Sequence, residues 1–418
     1  MTDSLWIRAD HLWNDSDGRF TPGLLRIEGG VITARAEAPA APPAGARVID
    51  MGERYVLPGL INTHVHLEFS ASPAPLDDFY AENDEERLMR AMGNAHRMLL
   101  SGVTTIRDCG SSWSMLALAR RPDLAPVPLP TILCSGPPIT VHAGHLHFMH
   151  GIVETDDDIL RHIDRLEREG GRSVKVMASG GSMTPGSDPV ETIFAQETLN
   201  LIAEEARRRA LPSVSHVLST ESIRRSALAR IDSLEHCAFY ERDADGMIVR
   251  RYDPNIAAVV RDSGSAMMAN LSTATRALDA VRARGAATPQ EAHALRQFDV
   301  MVENFGKFVA LGVPMVCGND AGVRETPFED TWMEMAWLIR GGLSAAQTIR
   351  AATSQAAKTL LIDQSVGKLE VSLAADLIAL RKDPLEDREA FREVDFVMKA
   401  GAVIVDRLGP GSSTPADC

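Results

Sequence analysis

The chain has 418 residues, 45% of them apolar and 24% charged, the balance of a globular protein and not of a disordered or fibrous one. That length exceeds one ordinary domain, so a large barrel with additions or two cooperating domains is expected. Acidic side chains outnumber basic ones by 57 to 43, a formal net charge of -14, which argues against nucleic acid as a partner because phosphate binding rests on lysine and arginine.

The opening MTDSLWIRADHLW lacks the charged start and apolar run of a secretory signal, and no apolar span is long enough to cross a bilayer. A cytoplasmic protein without a membrane partner is therefore the expectation. Residues 1–57 read as short strands (LLRIEGGVITA, RVIDMGERYVLPGL) around a loop, APAAPPAGA. Cys109, Cys134, Cys237, Cys317 and Cys418 are sparse, odd in number and without a CxxC pair, so they read as small buried hydrophobes and not as a disulfide framework or thiolate cluster.

From residue 58 the texture changes to short apolar runs alternating with helical segments, the pattern of parallel strands with crossover helices. The candidate strands are VLPGLINTHVHL, TTIRDCG, PTILCSG, SVKVMAS, PSVSHV, SLEHCAF, AMMANL and PMVCGND, and helices such as ERLMRAMGNAHRMLLSG and DILRHIDRLEREGG close on glycine. The acidic stretch LDDFYAENDEER reads as an exposed loop entering a helix. Near the C-terminus GKLEVSLAADLIALR and VDFVMKAGAVIVDR return to β texture. The expected fold is an α/β (β/α)8 TIM-like barrel over 58–364, with a small β-sandwich domain built from both chain ends, 1–57 and 365–418.

Function in such a barrel collects at the C-terminal ends of the strands. His64 and His66 lie near the end of the first strand, Lys175 in the fourth, His216 at the end of the fifth, His236 in the sixth and Asp320 at the end of the eighth. Positions i and i+2 share a face, so both rings of HVH can point into the barrel mouth. A lone histidine at a strand end is usually a hydrogen-bonded framework residue. Six metal-competent residues on five strand ends read instead as a metal cage.

PGLINTHVHL, SLEHCAF, GND and GKLEVSLAADLIAL resemble the first-strand, sixth-strand, eighth-strand and return-strand motifs of the amidohydrolase superfamily, over nearly the whole chain. KVMASGGSMTPGSDP, followed by spaced histidines, is similar to the branch of prolidase-like and Xaa-Arg dipeptidases. The resemblance implies two divalent metals, zinc by preference. His64, His66 and Asp320 would hold the first, His216 and His236 the second, and Lys175, as its carbamate, would bridge them. Burial would favour the neutral amine that captures carbon dioxide. It further implies hydrolysis by a metal-bridging hydroxide, with Asp320 moving the proton from nucleophile to leaving amine.

Two departures stand out. Many relatives carry a further histidine and a glycine after the fifth-strand histidine, where this chain has Val217, Leu218 and Ser219; Ser372 stands where a glycine is common. Mononuclear deaminases of the superfamily place a glutamate at the Ser219 position, so its absence, with Lys175, favours a binuclear hydrolase. In the loop VHAGHLHFMHG, His145 resembles the family's histidine near the substrate carbonyl and is expected at an oxyanion. His142 is a candidate substrate contact, as are Tyr240 for a carbonyl and Arg250 and Arg251 for a carboxylate. GGSMTPGSDP lacks phosphate-cradle spacing and is expected to shape the pocket wall.

The expected activity is a metal-dependent amidohydrolase acting on a small molecule, a dipeptide or N-acyl amino acid, in a homo-oligomer. The alternatives are a lactonase, esterase or carbamate hydrolase on the same centre, an aminohydrolase, and a non-enzymatic metal-binding scaffold.

Overall fold

The computed structural model describes residues 4–37, 40–273, 275–409 and 413–414. Both chain ends enter one nine-stranded sheet. The hairpin Arg19–Glu28 and Val31–Glu37 turns on Gly29 and Gly30, both at positive φ, as a two-residue primed turn requires. Leu5–Asn14 pairs antiparallel with Arg19–Glu28, and a register shift between Ala9 and Leu12 lets its first half pair with Arg47–Asp50 and its second with Tyr55–Pro58. The sheet therefore branches at a bulge. Tyr55–Pro58 then pairs with Leu377–Leu380, joining the N-terminal strands to the C-terminal ones, Val394–Lys399 and Ala402–Asp406. Cys418 and the first two residues of APAAPPAGA lie outside the described residues.

The first predicted strand is divided in two. Gly59 lies between Tyr55–Pro58 and Leu60–Val65, packed so tightly that a Cβ there would meet Thr104. Leu60–Val65, Val103–Asp108 and Thr131–Cys134 form a parallel three-stranded sheet. Val174–Met177, Ser213–Ser219, Ser233–Arg242 and Ala266–Met268 run parallel in a second sheet, with Ile248–Arg250 antiparallel at its edge. Burial on both faces explains their unbroken apolar runs.

Segments outside both sheets bond to their edge strands. The Ile139 amide donates to the Lys175 carbonyl at 2.8 Å, and the Met177 amide donates to the Ile139 carbonyl at 2.9 Å. At other edge strands Val316 donates to Met267, Thr63 to Cys317, Asp320 to His64 and His66 to Ala321, at 3.0, 2.8, 3.0 and 2.8 Å. The predicted eighth strand PMVCGND is thus no regular strand but an irregular segment with single bridges at Met315 and Ala321. Its chain turns at Asp320, which has φ 58°.

Asp84–Leu100 and Asp156–Arg168 start with capping boxes, Asn83 with Glu86 and Thr155 with Asp158, and are followed by Gly102 and Gly170 at φ 96° and 87°. The acidic stretch departs from its reading as a loop: Pro75 starts a helix, Pro75–Ala81, because proline presets the first helical turn. Cys109, Cys134, Cys237 and Cys317 are free and buried, as small apolar residues would be. Among the described residues no helix is long and apolar enough to cross a membrane.

Candidate metal centre and pocket

His64 closes the Leu60–Val65 strand's inner face and His66 follows just beyond its end. Their Nε2 atoms lie 3.4 Å apart, and Asp320 Oδ1 lies 3.5 Å from the first and 3.3 Å from the second. The remaining ring nitrogens are engaged elsewhere. His66 Nδ1 donates to the Gly110 carbonyl at 3.1 Å, and His64 Nδ1 meets Glu235 Oε2 at 2.5 Å. With Nδ1 engaged in each ring, Nε2 is the atom that faces the common point, the arrangement that a metal-ligating histidine needs.

His216 is oriented the other way. Its Nε2 donates to the Gly180 carbonyl at 3.2 Å, leaving Nδ1 as the free lone pair. The strand runs on to Ser219, so His216 lies mid-strand and not at its end. The rings of His216 and His236 are 4.8 Å apart and those of His236 and His64 5.3 Å. His236 has φ 75°, and with Asp320 it forms a pair of non-glycine residues in the left-handed region, a strain that tends to collect at functional sites.

Among the described residues, the buried Lys175 Nζ and Asp320 Oδ1 make no hydrogen bond, the latter meeting only the two imidazole nitrogens at 3.3 and 3.5 Å. Burial and neighbouring positive charge hold His64 and His216 well below the ordinary histidine range, and burial lowers His236. For Asp320 burial alone would raise the carboxyl, but the imidazoles of His64, His66 and His236 outweigh it and hold it far below the usual range. Imidazole nitrogens of His64 and His66 and a carboxylate oxygen of Asp320 on one point, beside the buried Lys175 Nζ, are a donor set that fits a divalent metal.

A cavity of about 760 Å³ opens over this cluster, lined by His66, His145, Lys175, His216, His236 and Asp320, and by Tyr240 and Arg250 farther out. His64 sits behind His66, off the cavity surface. His145 is buried, 4.7 Å from the His216 ring, with Nδ1 2.9 Å from Thr184 Oγ1. Burial, then the nearby His66 and Lys175, pushes its pKa down to about 3. Met183 and Pro185 of the GGSMTPGSDP turn form one wall.

Two predicted contacts do not reach the cavity. His142 is exposed, because the chain turns outward through Val141–Gly144 before His145 turns back in. Arg251 points to solvent, its side chain 63% exposed and paired with Glu241 at 3.4 Å. Arg250 faces inward because its strand places it opposite Tyr240. Residues the sequence reading passed over include Glu235, behind His64, and Asn270, whose Nδ2 lies 3.4 Å from Asp320 Oδ2. The apolar wall of Leu278, Phe298 and Met301, from helices Thr275–Arg284 and Pro289–Ala310, was also missed. Apolar periodicity marks such residues as buried without telling core from cavity wall.

Both departures from the family pattern have local reasons. Ser219 caps the helix Thr220–Leu228, its Oγ accepting from the Ser222 amide at 3.3 Å, while Leu218 joins the cavity lining. Ser372 has φ 77°, the conformation that makes glycine common at this turn.

Fold and site together define an α/β protein in which strands and the segment at Asp320 bring a cluster of histidines and a carboxylate to one cavity. Residues 55–404 match the Amidohydrolase family, and the chain belongs to that family. It is similar to the ochratoxinase of Aspergillus niger, 29% identical over 279 residues that make up 64% of this chain and 52% of that protein. The chain thus spans about half the length of the curated relative it matches. Among solved structures, a Xaa-Pro dipeptidase with bound methionine in its active site superposes with a TM-score of 0.84 at 22% identity, over 96% of this chain and 100% of the other. The A. niger ochratoxinase structure gives 0.81 at 22% identity, over 98% of each chain.

Proposed function

We propose that the chain hydrolyses the amide or peptide-like C–N bond of a dipeptide or N-acyl amino acid at a two-metal centre. One observation carries this reading: His64 Nε2, His66 Nε2 and Asp320 Oδ1 converge within 3.3–3.5 Å beside the cavity lined by Lys175, whose Nζ is buried with no hydrogen-bond partner among the described residues. Xaa-Pro dipeptidase and ochratoxinase as structural neighbours support it. The hydrogen bonds through Ile139 and residues 315–321 support a closed (β/α)8 barrel over 58–364, with 1–57 and 365–418 as its companion domain.

In this reading His64, His66 and Asp320 would hold one ion, His216 and His236 the other, and Lys175, as its carbamate, would be a ligand shared by the two. When bound, divalent metals supply Lewis-acid polarisation of the carbonyl and activation of water at neutral pH. Asp320 takes the proton of the attacking water and passes it to the leaving amine. His145 faces the substrate carbonyl oxygen. Arg250, whose Nε is buried without a partner, receives the substrate carboxylate, and Tyr240 orients its guanidinium.

The test is a metal count on zinc-loaded protein, followed by hydrolysis of dipeptides, N-acyl amino acids, lactones and amino-heterocycles. Two ions per chain and release of a free amino acid support the proposal. Ring opening without an amine product, ammonia release, or a single ion that survives Lys175→Ala would each overturn it.

A further inference from the structure

We infer that Glu235 is a positioning residue for the first metal: it fixes the tautomer of His64, while Arg107 fixes Glu235. The inference rests on the metal centre proposed above, but its structural basis is independent of any ion. Glu235 is wholly buried on the Ser233–Arg242 strand, one residue before His236, and points away from the cavity. Its two oxygens have separate duties. Oε2 lies 2.5 Å from His64 Nδ1, and Oε1 accepts from Arg107 Nη2 at 3.0 Å and from Ser233 Oγ at 2.8 Å. Arg107, fully buried in the Val103–Asp108 strand, is itself tied down by Nε donating to the Thr63 carbonyl at 2.7 Å and Nη2 to Ser233 Oγ at 2.9 Å.

This chain of contacts runs from backbone to guanidinium to carboxylate to imidazole. An acceptor at Nδ1 requires the proton there, so the lone pair is on Nε2, the atom facing His66 and Asp320. A hydrogen-bonded carboxylate behind a ligating histidine also orients the ring and raises its basicity. A rival reading exists, because His64, Cys109 and Glu235 offer ligand atoms within 4.8 Å of one another. It fails on partners: Cys109 Sγ is turned to the Thr63 carbonyl at 3.5 Å and Arg107 already occupies Glu235 Oε1.

Glu235→Gln makes the inference testable. An amide has one oxygen for two claimants, and the guanidinium is the stronger one, so the amide NH2 would face His64 and force its proton to Nε2. Long-range 1H–15N correlation spectra of metal-free protein with 15N-labelled histidine should show His64 protonated on Nδ1 in the native chain and on Nε2 in the variant. Zinc affinity, read by chelator competition, should fall about 10- to 100-fold in Glu235→Gln and stay unchanged in Cys109→Ala. A native His64 with bare Nδ1, or Glu235→Gln with unaltered zinc affinity, overturns the inference. If Glu235→Gln does not fold, the native tautomer decides. A native chain that holds no divalent metal overturns the metal centre instead, and the tautomer measurement still judges Glu235.

Discussion

Arg250 stands directly across the strand pair from Tyr240, with Nη2 3.1 Å from the phenol oxygen and the guanidinium carbon 4.7 Å from the ring centroid. The phenol thus braces a cation that faces the cavity and has a spare donor at Nε.

Arg250→Met should therefore raise KM for a carboxylate-bearing substrate, lowering kcat/KM by roughly 100-fold with a smaller change in kcat, since a lost charged hydrogen bond is worth about 1.5–3 kcal/mol. Arg251→Met should leave both constants unchanged. Steady-state kinetics on the substrate found by the screen checks the pair, and equal effects from both would remove Arg250 from the site.

Asp320→Asn keeps the shape but removes the proton acceptor. Turnover should fall on the order of 10²–10⁴-fold, the range for loss of a general acid or base. Full turnover in that variant would refute the role given to Asp320.

Gly181 packs against the His145 ring so closely that an added Cβ would lie 2.5 Å from it. Gly181→Ala should displace the imidazole and lower kcat, while zinc content, measured by atomic emission, stays at the native level. Overpacking of this kind costs roughly 1–3 kcal/mol, so the melting temperature should also drop.

His162 is outside the cage, with Nε2 donating to the Pro137 carbonyl at 2.9 Å. Burial, only partly offset by that bond, lowers its pKa to about 4. The folded state thus favours the neutral ring, so its stabilising share is full above about pH 6.5 and is lost as pH falls towards 4. The share is on the order of 1–2 kcal/mol once partial solvent screening is allowed for. An NMR titration of His162 with a midpoint near 6.5 would contradict this.

Legibility varied with the kind of signal. HVH, Lys175, His216, His236 and Asp320 are visible because metal-competent side chains are rare within or just after short apolar runs. Glu235 stands in SLEHCAF beside His236 yet escapes notice, since its partners His64 and Arg107 are 171 and 128 residues away. Arg250 and Arg251 are equivalent in sequence and only strand pairing separates them. The segment PMVCGND reads as a strand because apolar residues mark burial, but its backbone makes only single bridges at Met315 and Ala321.

By itself the amino-acid sequence determined the alternation of apolar strands and capped helices and the residue types of the cage, because periodicity and side-chain chemistry are local properties. Only the tertiary structure decided which atoms meet each ring nitrogen, which of two neighbouring arginines faces the cavity and where His142 points. Those depend on hydrogen-bond partners and packing supplied by distant segments, and no local pattern encodes them.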